Sequence, residues 1–207
     1  MILITTLGFD EKFTIRFLMR HSEGSRVLYV ITAEPMEERA EKALRNVEDF
    51  VRRYLEGVEL ITKSVNPANP PEAIKAFKEI FTKHPGELFA INVSGGMRAL
   101  ILELVTAAVI SRVNGHLEIE LENFRGVVRI PLAAFTTPPP GSEEVKILKA
   151  LAKVGGMAAR ELSKELGIPR STLYKYLGNL LNNKLVKSVK YEGRVYYEIT
   201  ELGLMFI

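Results

Sequence analysis

Residues 88–98 read LFAINVSGGMR, and residues 2–10 read ILITTLGFD. In both stretches a run of apolar and β-branched residues ends in a turn that contains glycine, and a helical pattern follows. Short apolar strands that alternate with helices are typical of a mostly parallel sheet with helices on both faces. The two stretches therefore predict an α/β, Rossmann-like domain whose glycine turns lie at the carboxyl ends of strands.

The rest of the first 134 residues continues this βαβα pattern. Strands are predicted at 2–6, 26–32, 58–63 and 88–93. The clearest helix has apolar residues three and four apart, at Ala40, Ala43, Leu44, Val47, Phe50, Val51 and Tyr54. A short link joins two later strands, 117–121 and 127–130, which predicts an antiparallel hairpin at the edge of the sheet.

A proline-rich segment divides the chain. Residues 136–141 read TTPPPG, and three successive prolines can continue neither a helix nor a central strand. We therefore predict a Rossmann-like domain at 1–134, a linker at 135–142 and a second domain at 143–207.

The second domain has the pattern of a winged helix. Helices are predicted at 143–153, 158–166 and 170–183, and a hairpin at 189–199 turns at Glu192 and Gly193. Gly167 is placed to end the second helix in the left-handed conformation. The third helix should bury its leucines, Leu173, Leu177, Leu180 and Leu181. Residues 158–177, AARELSKELGIPRSTLYKYL, resemble the helix-turn-helix core of prokaryotic winged-helix regulators.

The charge of the chain supports a polyanionic partner for this domain. Lys and Arg number 28 and Asp and Glu 25, so the net charge is +3, but residues 1–136 carry −1 and residues 137–207 carry +4. No acidic residue lies between Glu165 and Glu192. A recognition helix and a wing contact DNA with polar and basic side chains. The candidate DNA-binding residues are Arg170, Ser171, Thr172, Tyr174, Lys175, Lys184, Lys187, Lys190 and Arg194. A solvated basic face that serves protein contacts is the alternative.

The two glycine turns predict an anion site. Gly95 and Gly96 let a phosphate approach the backbone, and Arg98 adds a cation at the start of a helix. Neither a dinucleotide glycine motif nor a P-loop is present, and a tight turn without a ligand is the alternative interpretation. The candidate ligand-binding residues are Thr6, Leu7, Gly8, Phe9, Asp10, Asn92, Ser94, Gly95, Gly96, Met97 and Arg98.

Together these motifs carry a family resemblance that covers nearly the whole chain. LGFD after the first strand, NVSGGMR after the fourth, a linker and a winged helix resemble the CRISPR-associated Rossmann fold (CARF) transcriptional regulators of archaeal type I systems. The resemblance implies a homodimer that binds a cyclic oligoadenylate, cyclic tetra-adenylate above all, across its two-fold axis. It also implies that Gly95, Gly96 and Arg98 contact phosphates, and that Gly8, Phe9 and Asp10 contact ribose or base.

The helix at 99–110 is apolar nearly all round, which predicts burial on several sides. Contact with a second copy and complete burial within one domain would account for this apolar pattern equally.

Some CARF proteins cleave their ligand, but Arg98 stays protonated and is a poor base, so we expect a sensor and not an enzyme. A ring nuclease, or a regulator that senses another phosphorylated metabolite, remains an alternative.

The composition excludes several classes of site. The chain has no Cys and three separated histidines, so neither a disulfide framework nor a thiolate metal site is possible, and we expect no metal and no cofactor. No stretch has the length of a membrane span or the pattern of a signal peptide, which predicts a cytoplasmic protein. The lack of Gln and Cys, with many Glu, Lys and Arg, resembles the composition of thermophile proteins.

Overall fold

The computed structural model describes residues 1–21 and 23–207, which form two compact units, Met1–Phe135 and Thr136–Ile207. Within the described residues, no helix has the length and apolarity needed to span a membrane.

In its described residues, the first unit is a six-stranded sheet with four α-helices. Its sheet has the order β3-β2-β1-β4-β5-β6, and every neighbouring pair is parallel except β5 and β6, which are antiparallel. This confirms the mostly parallel, Rossmann-like sheet with a hairpin at one edge. The elements in chain order are β1 (Ile2–Thr6), α1 (Lys12–His21), β2 (Val27–Ala33), α2 (Glu38–Tyr54), β3 (Glu59–Val65), α3 (Pro70–Lys83), β4 (Phe89–Asn92), α4 (Arg98–Ile110), β5 (Gly115–Glu120), β6 (Val127–Pro131) and a 3-10 helix (Leu132–Phe135).

Side chains of the central strands alternate between two cores. Ile2 and Ile4 of β1 pack with residues of α3 and α4, whereas Leu3 packs with residues of α1 and α2. This alternation follows from the two-residue period of a strand and puts one helix pair on each face of the sheet. Phe17 and Phe77 are fully buried, one in each core, and such burial contributes about 1.5–3 kcal/mol per side chain.

The structure adds two details to the prediction for the first unit. The strand predicted at 58–63 is the edge strand β3, whose residues before Val65 are exposed or partly buried. Helix α4 is not completely buried within its own domain, because Leu102 and Ile110 are 67% and 58% exposed. The apolar pattern of α4 therefore exceeds what the sheet can cover.

The second unit is a winged helix. Its helices and strands are α5 (Ser142–Val154), β7 (Met157–Ala158), α6 (Ala159–Leu166), α7 (Arg170–Asn182), β8 (Val186–Tyr191), β9 (Arg194–Ile199) and α8 (Glu201–Leu204). Helix α6 ends at Gly167, whose φ of 65° is left-handed, and Ser163 Oγ donates to the Ile168 carbonyl at 2.7 Å to close the turn before α7.

The sequence prediction for this unit was incomplete in three details. Strand β7, only two residues long, pairs with β9 as a third strand, and helix α8 follows the hairpin. Leu173, Leu177 and Leu180 are buried as predicted, but Leu181 is only half-buried. Leu181 lies off the line of the other three leucines on α7, so it reaches only the margin of the core.

A buried ionic cluster joins α1 to the edge hairpin. Glu118 and Glu120 of β5 are buried and point toward the same helix, because they are two residues apart on a strand. Arg20 donates to both carboxylates, at 3.3 and 3.0 Å, while Arg16 pairs with Glu120. The cluster therefore holds α1 against β5 through ion pairs between arginines of α1 and buried carboxylates of β5.

Two histidines that lie far apart in the sequence complete this cluster. His21 Nε2 is 2.9 Å and His116 Nε2 is 3.4 Å from Glu118 Oε1, and the three ligand atoms lie within 4.8 Å of one another. Arg129 Nε also donates to Glu118 Oε1, at 2.7 Å. Because Arg20 and Arg129 already place positive charge on this carboxylate, a metal cation there would be repelled. We assign the cluster to packing of α1 on β5.

The cluster fixes the ionisation of Glu118. Burial raises the pKa of its carboxyl, but the contacts from His116, His21 and Arg129 and the charge of His21 outweigh burial and hold that pKa far below its usual range. A lowered folded-state pKa contributes stability above the unfolded-state pKa of about 4.3, and that stability is lost as the pH falls below it.

We predict that Glu118→Gln lowers the free energy of unfolding by about 3 kcal/mol at pH 7, because it leaves buried cations without their carboxylate. The deficit should shrink on acidification below about pH 4.3, where the wild-type carboxylate loses its advantage. Urea unfolding between pH 7 and pH 3 measures both effects, with the exposed Glu122→Gln as control. A deficit that stays constant with pH would contradict the role given to this carboxylate.

Candidate functional site

The centre of the first sheet is a point where the chain reverses its direction of winding. Strand β1 continues to β2 on one side, and β4 continues to β5 on the other, while β1 and β4 are themselves neighbours. Ligands of open parallel sheets bind at such a switch point, outside the carboxyl ends of the strands. Both glycine loops begin there, after Thr6 and after Asn92.

The two loops are packed directly against each other. A Cβ atom at Gly8 would lie 2.9 Å from the Gly96 backbone nitrogen, and one at Gly96 would lie 2.9 Å from Thr6 Cβ. Thr6 Oγ1 donates to the carbonyl oxygen of Gly95 in the other loop. Neither Gly8 nor Gly96 has room for a side chain, so the contact requires glycine at both positions.

Gly96 also has a backbone conformation that favours glycine. Its φ is 101°, a region that residues with a side chain rarely adopt. Gly95 has no such constraint, since its φ is ordinary and a Cβ there would meet the Thr6 carbonyl oxygen at 3.6 Å. The paired glycines are therefore not equivalent: Gly96 must be glycine, whereas a Cβ atom at Gly95 would make only ordinary contacts.

A buried network of polar side chains supports the second loop. Asn92 Nδ2 donates to Thr5 Oγ1 at 2.9 Å, and Thr5 Oγ1 lies 3.1 Å from Thr14 Oγ1 on α1. Ser94 Oγ donates to Asn92 Oδ1 at 2.5 Å and accepts from the Glu120 backbone N–H at 2.8 Å. These bonds join β1, β4, α1 and β5 beneath the glycine turn.

The predicted ligand-binding residues separate into two groups. Thr6, Leu7 and Asn92 are buried, so their side chains fix the loops and do not face solvent. Ser94 is partly buried and bonded within the loop. The other residues offer exposed or partly exposed surface: Gly8, Phe9, Asp10, Gly95, Gly96, Met97 and Arg98.

Arg98 supplies the cation of this surface. It is the first residue of α4, it is exposed, and in the described part of the chain it makes no hydrogen bond or ion pair. The first N–H groups of a helix also lack partners within the helix and carry partial positive charge. Backbone amides, glycines and Arg98 therefore combine to favour an anion. Asp10 is less available, because its carboxylate accepts from the Lys12 backbone N–H at 2.9 Å.

Sequence reasoning missed the residues that border these loops. Arg39, in the first turn of α2, has its guanidinium carbon 4.8 Å from the centre of the Phe9 ring. On the other side, Phe13 and Phe124 stack with ring centres 5.3 Å apart, and Arg16 lies over Phe124. No local pattern predicts these contacts, although the approach of α2 to the first loop follows from the pairing of β1 with β2.

A second candidate surface lies on the winged helix. Ser171, Tyr174 and Lys175 share the outward face of α7, opposite its buried leucines. All nine residues predicted to contact DNA are exposed: Arg170, Ser171, Thr172, Tyr174, Lys175, Lys184, Lys187, Lys190 and Arg194. Lys187 is partly neutralised, since its Nζ lies 2.9 Å from Glu198 Oε2 on the paired strand. The turn of the wing, at Glu192 and Gly193, has left-handed backbone at both residues and presents Arg194 beside it.

Comparison with protein families gives a match to each unit. Residues 1–131 match the model described as Csa3 CRISPR-associated Rossmann-like domain. Residues 141–202 match the model described as sugar-specific transcriptional regulator TrmB. No curated protein matches the chain.

Several solved structures are similar to one or both units of this chain. Can2 from Sulfobacillus thermosulfidooxidans, in complex with cyclic tetra-adenylate, is 12% identical over 98% of this chain and 61% of its own, with a TM-score of 0.48. VC1899 from Vibrio cholerae is 15% identical over 99% and 63%, with a TM-score of 0.45. The oxidised form of MarR from E. coli is 20% identical over 31% and 47%, with a TM-score of 0.30. The chain spans less than two thirds of each of these proteins.

We predict that Gly96→Ala lowers the free energy of unfolding of the first unit by about 1–3 kcal/mol, because alanine is strained at this φ and would collide with Thr6. Gly95→Ala is the matched control and should have a much smaller effect. Thermal unfolding followed by circular dichroism compares the two variants. Equal destabilisation would contradict the distinction between the two glycines.

Proposed function

The chain belongs to the Csa3 CRISPR-associated Rossmann-like family, whose model covers residues 1–131, and we propose that it is a transcriptional regulator controlled by a cyclic oligoadenylate. Its winged helix is a transcription-regulator domain. The observation that carries the proposal is the pair of packed glycine loops with an unpaired Arg98 at the switch point of the sheet. We propose cyclic tetra-adenylate as the ligand and duplex DNA as the second partner.

The chemistry of the loops suits a phosphodiester. Gly95 exposes backbone that a phosphate can approach closely, and the N-terminus of α4 presents unpaired N–H groups beside it. Arg98 can donate two parallel hydrogen bonds to phosphate oxygens. The exposed ring of Phe9 offers an apolar surface next to these polar groups, as a nucleotide requires. A sugar without phosphate would leave Arg98 without a partner.

A homodimer accounts for the remaining apolar face of α4. One side of this helix packs on the sheet, while Leu102 and Ile110 are exposed on the other side. Such a surface is typical of a contact with another protein. In a symmetric pair each copy contributes the same patch, and a ring with two-fold symmetry can contact the glycine loops of both copies. A dimer would also present two winged helices to a two-fold related DNA site.

We propose that the ligand is sensed and not cleaved. Cleavage through a ribose hydroxyl needs a base near the scissile phosphate. Around the glycine loops of the described chain, Ser94, Thr5 and Thr6 are engaged in internal hydrogen bonds, and Arg98 stays protonated. Chromatography of cyclic tetra-adenylate after incubation with the protein tests this directly, because linear products would favour the ring-nuclease alternative.

We propose that the DNA contact is formed by α7 and the wing. Helix α7 has no acidic residue, and its outward face combines Ser171, Tyr174 and Lys175. Lys184, Lys190 and Arg194 extend the positive charge toward the ribbon. Side chains of α7 would contact base edges and phosphates, and the lysines of the ribbon would contact phosphates.

We predict that the wild-type protein binds cyclic tetra-adenylate with one ring per two chains, and that Arg98→Ala weakens this binding by at least tenfold through loss of a charged hydrogen bond. Isothermal titration calorimetry measures affinity and stoichiometry. Arg45→Ala, which removes an exposed arginine of α2 that pairs with Glu41, is the control.

If the wild-type protein binds no cyclic oligoadenylate, the proposal that it senses such a ligand is wrong. If it binds one ring per chain, the proposal that two copies share one ring is wrong. In the first case, a thermal-shift panel of phosphorylated metabolites would test the alternative ligand class.

We predict that Lys175→Ala weakens DNA binding and reduces the slope of log affinity against log salt by about one, because one phosphate contact is lost. Fluorescence anisotropy with labelled duplex at several salt concentrations measures the slope. Lys153→Ala, an exposed lysine of α5, should leave it unchanged. Equal slopes for both variants would contradict the assignment of α7 as the recognition helix.

A further inference from the structure

The contact between Arg39 and Phe9 gives the first glycine loop an exposed aromatic ring that is held in place. Phe9 follows Gly8 directly and is 49% exposed. The guanidinium of Arg39 lies over one face of its ring, with the carbon 4.8 Å from the centre, within the range of a cation–π interaction. In the described chain no other aromatic ring pairs with Phe9.

Exposed apolar side chains are common on protein surfaces, but Phe9 is in addition held in one orientation by Arg39. The hydrogen bond from Asn46 to Glu11, at 3.0 Å, joins the same loop to α2 a second time. The loop that carries Phe9 is thus held to α2 at two points, and Phe9 directly follows Gly8, which packs on Gly96 of the other loop.

We infer that Phe9 is a platform on which a nucleobase of the ligand stacks, and that Arg39 is the positioning residue that holds the platform. This inference rests on the proposed function of the same site. A base stacks on an aromatic ring through its π-face, and a purine has a larger face than a pyrimidine. The platform therefore contributes to selection of adenylate over uridylate.

The charges around Arg39 indicate that it acts through the ring and not on a phosphate. The segment that enters α2 is acidic, with Glu34, Glu37, Glu38 and Glu41 around the single cation Arg39. These carboxylates are near enough in sequence to repel a phosphate from the start of α2. Arg98, by contrast, begins a helix whose first turn has no acidic residue. The two arginines thus have different roles: Arg98 binds phosphate, and Arg39 orients Phe9.

A double-mutant cycle with two ligands tests this division. The proteins are wild type, Phe9→Leu, Arg39→Ala and the double variant, and the probes are cyclic tetra-adenylate and cyclic tetra-uridylate, measured by calorimetry. We expect each single variant to bind the adenylate ring about tenfold more weakly. The double variant should bind no more weakly than Phe9→Leu alone, because Arg39 acts through the ring.

The ratio of the affinities for the adenylate and uridylate rings distinguishes a loss of base stacking from a general loss of binding. Phe9→Leu and Arg39→Ala should narrow the preference for adenylate over uridylate, whereas Arg98→Ala should weaken both rings by the same factor. Additive losses in the double variant, or an unchanged ratio in Phe9→Leu, would overturn the inference. Arg45→Ala on the same helix should bind both rings like the wild type.

Failure of this inference is distinguishable from failure of the proposed function. If the wild type binds the adenylate ring and Phe9→Leu binds it equally well, only the stacking platform is wrong. If the wild type binds neither ring, the sensor proposal is wrong, and the inference that Phe9 stacks on a base is then wrong as well.

Discussion

The packing of the loop after β1 against the loop after β4 sets the geometry of the candidate site. Gly8 and Gly96 touch without side chains, and Thr6 donates to Gly95 across the gap. This contact is possible because β1 and β4 are adjacent at the centre of the sheet. Asn92, Thr5 and Ser94 then fix the second loop from beneath, while Met97 and Arg98 at its end are exposed.

The distribution of cations explains how a nearly neutral unit can present an anion site. Arg16, Arg20 and Arg129 are held by the buried carboxylates of Glu118 and Glu120. Arg39 lies over Phe9, which leaves Arg98 as the arginine available at the glycine loops. The winged helix arranges its positive charge differently. Its excess of basic residues is spread over α7 and the ribbon, with few carboxylates nearby. The two units are suited to a small anion and to an extended one.

Local patterns in the sequence predicted the elements but not the contacts between distant residues. The strands, the edge hairpin, the glycine turn at Gly167 and helix α7 follow from periodicity and turn chemistry, which act over a few residues. His21 and His116 both contact Glu118 only because α1 packs on β5, and no spacing of residues along the chain predicts these contacts. The same limit explains why Arg39 was missed and why Asn92 was expected to face a ligand instead of Thr5. The short strand β7 has too few residues for any periodicity.

Control of DNA binding by the ligand, as proposed, requires different ligand affinities in the two DNA-binding states. Fluorescence anisotropy on a duplex from upstream of the gene that encodes the chain, with and without saturating cyclic tetra-adenylate, measures whether ligand binding in the first unit changes DNA binding in the second. We expect a ligand concentration that saturates the wild type to change its DNA affinity by about fivefold or more. Arg98→Ala should retain DNA binding and need at least tenfold more ligand for the same change. An unchanged DNA affinity, with the ligand demonstrably bound, would show that the two units are not coupled.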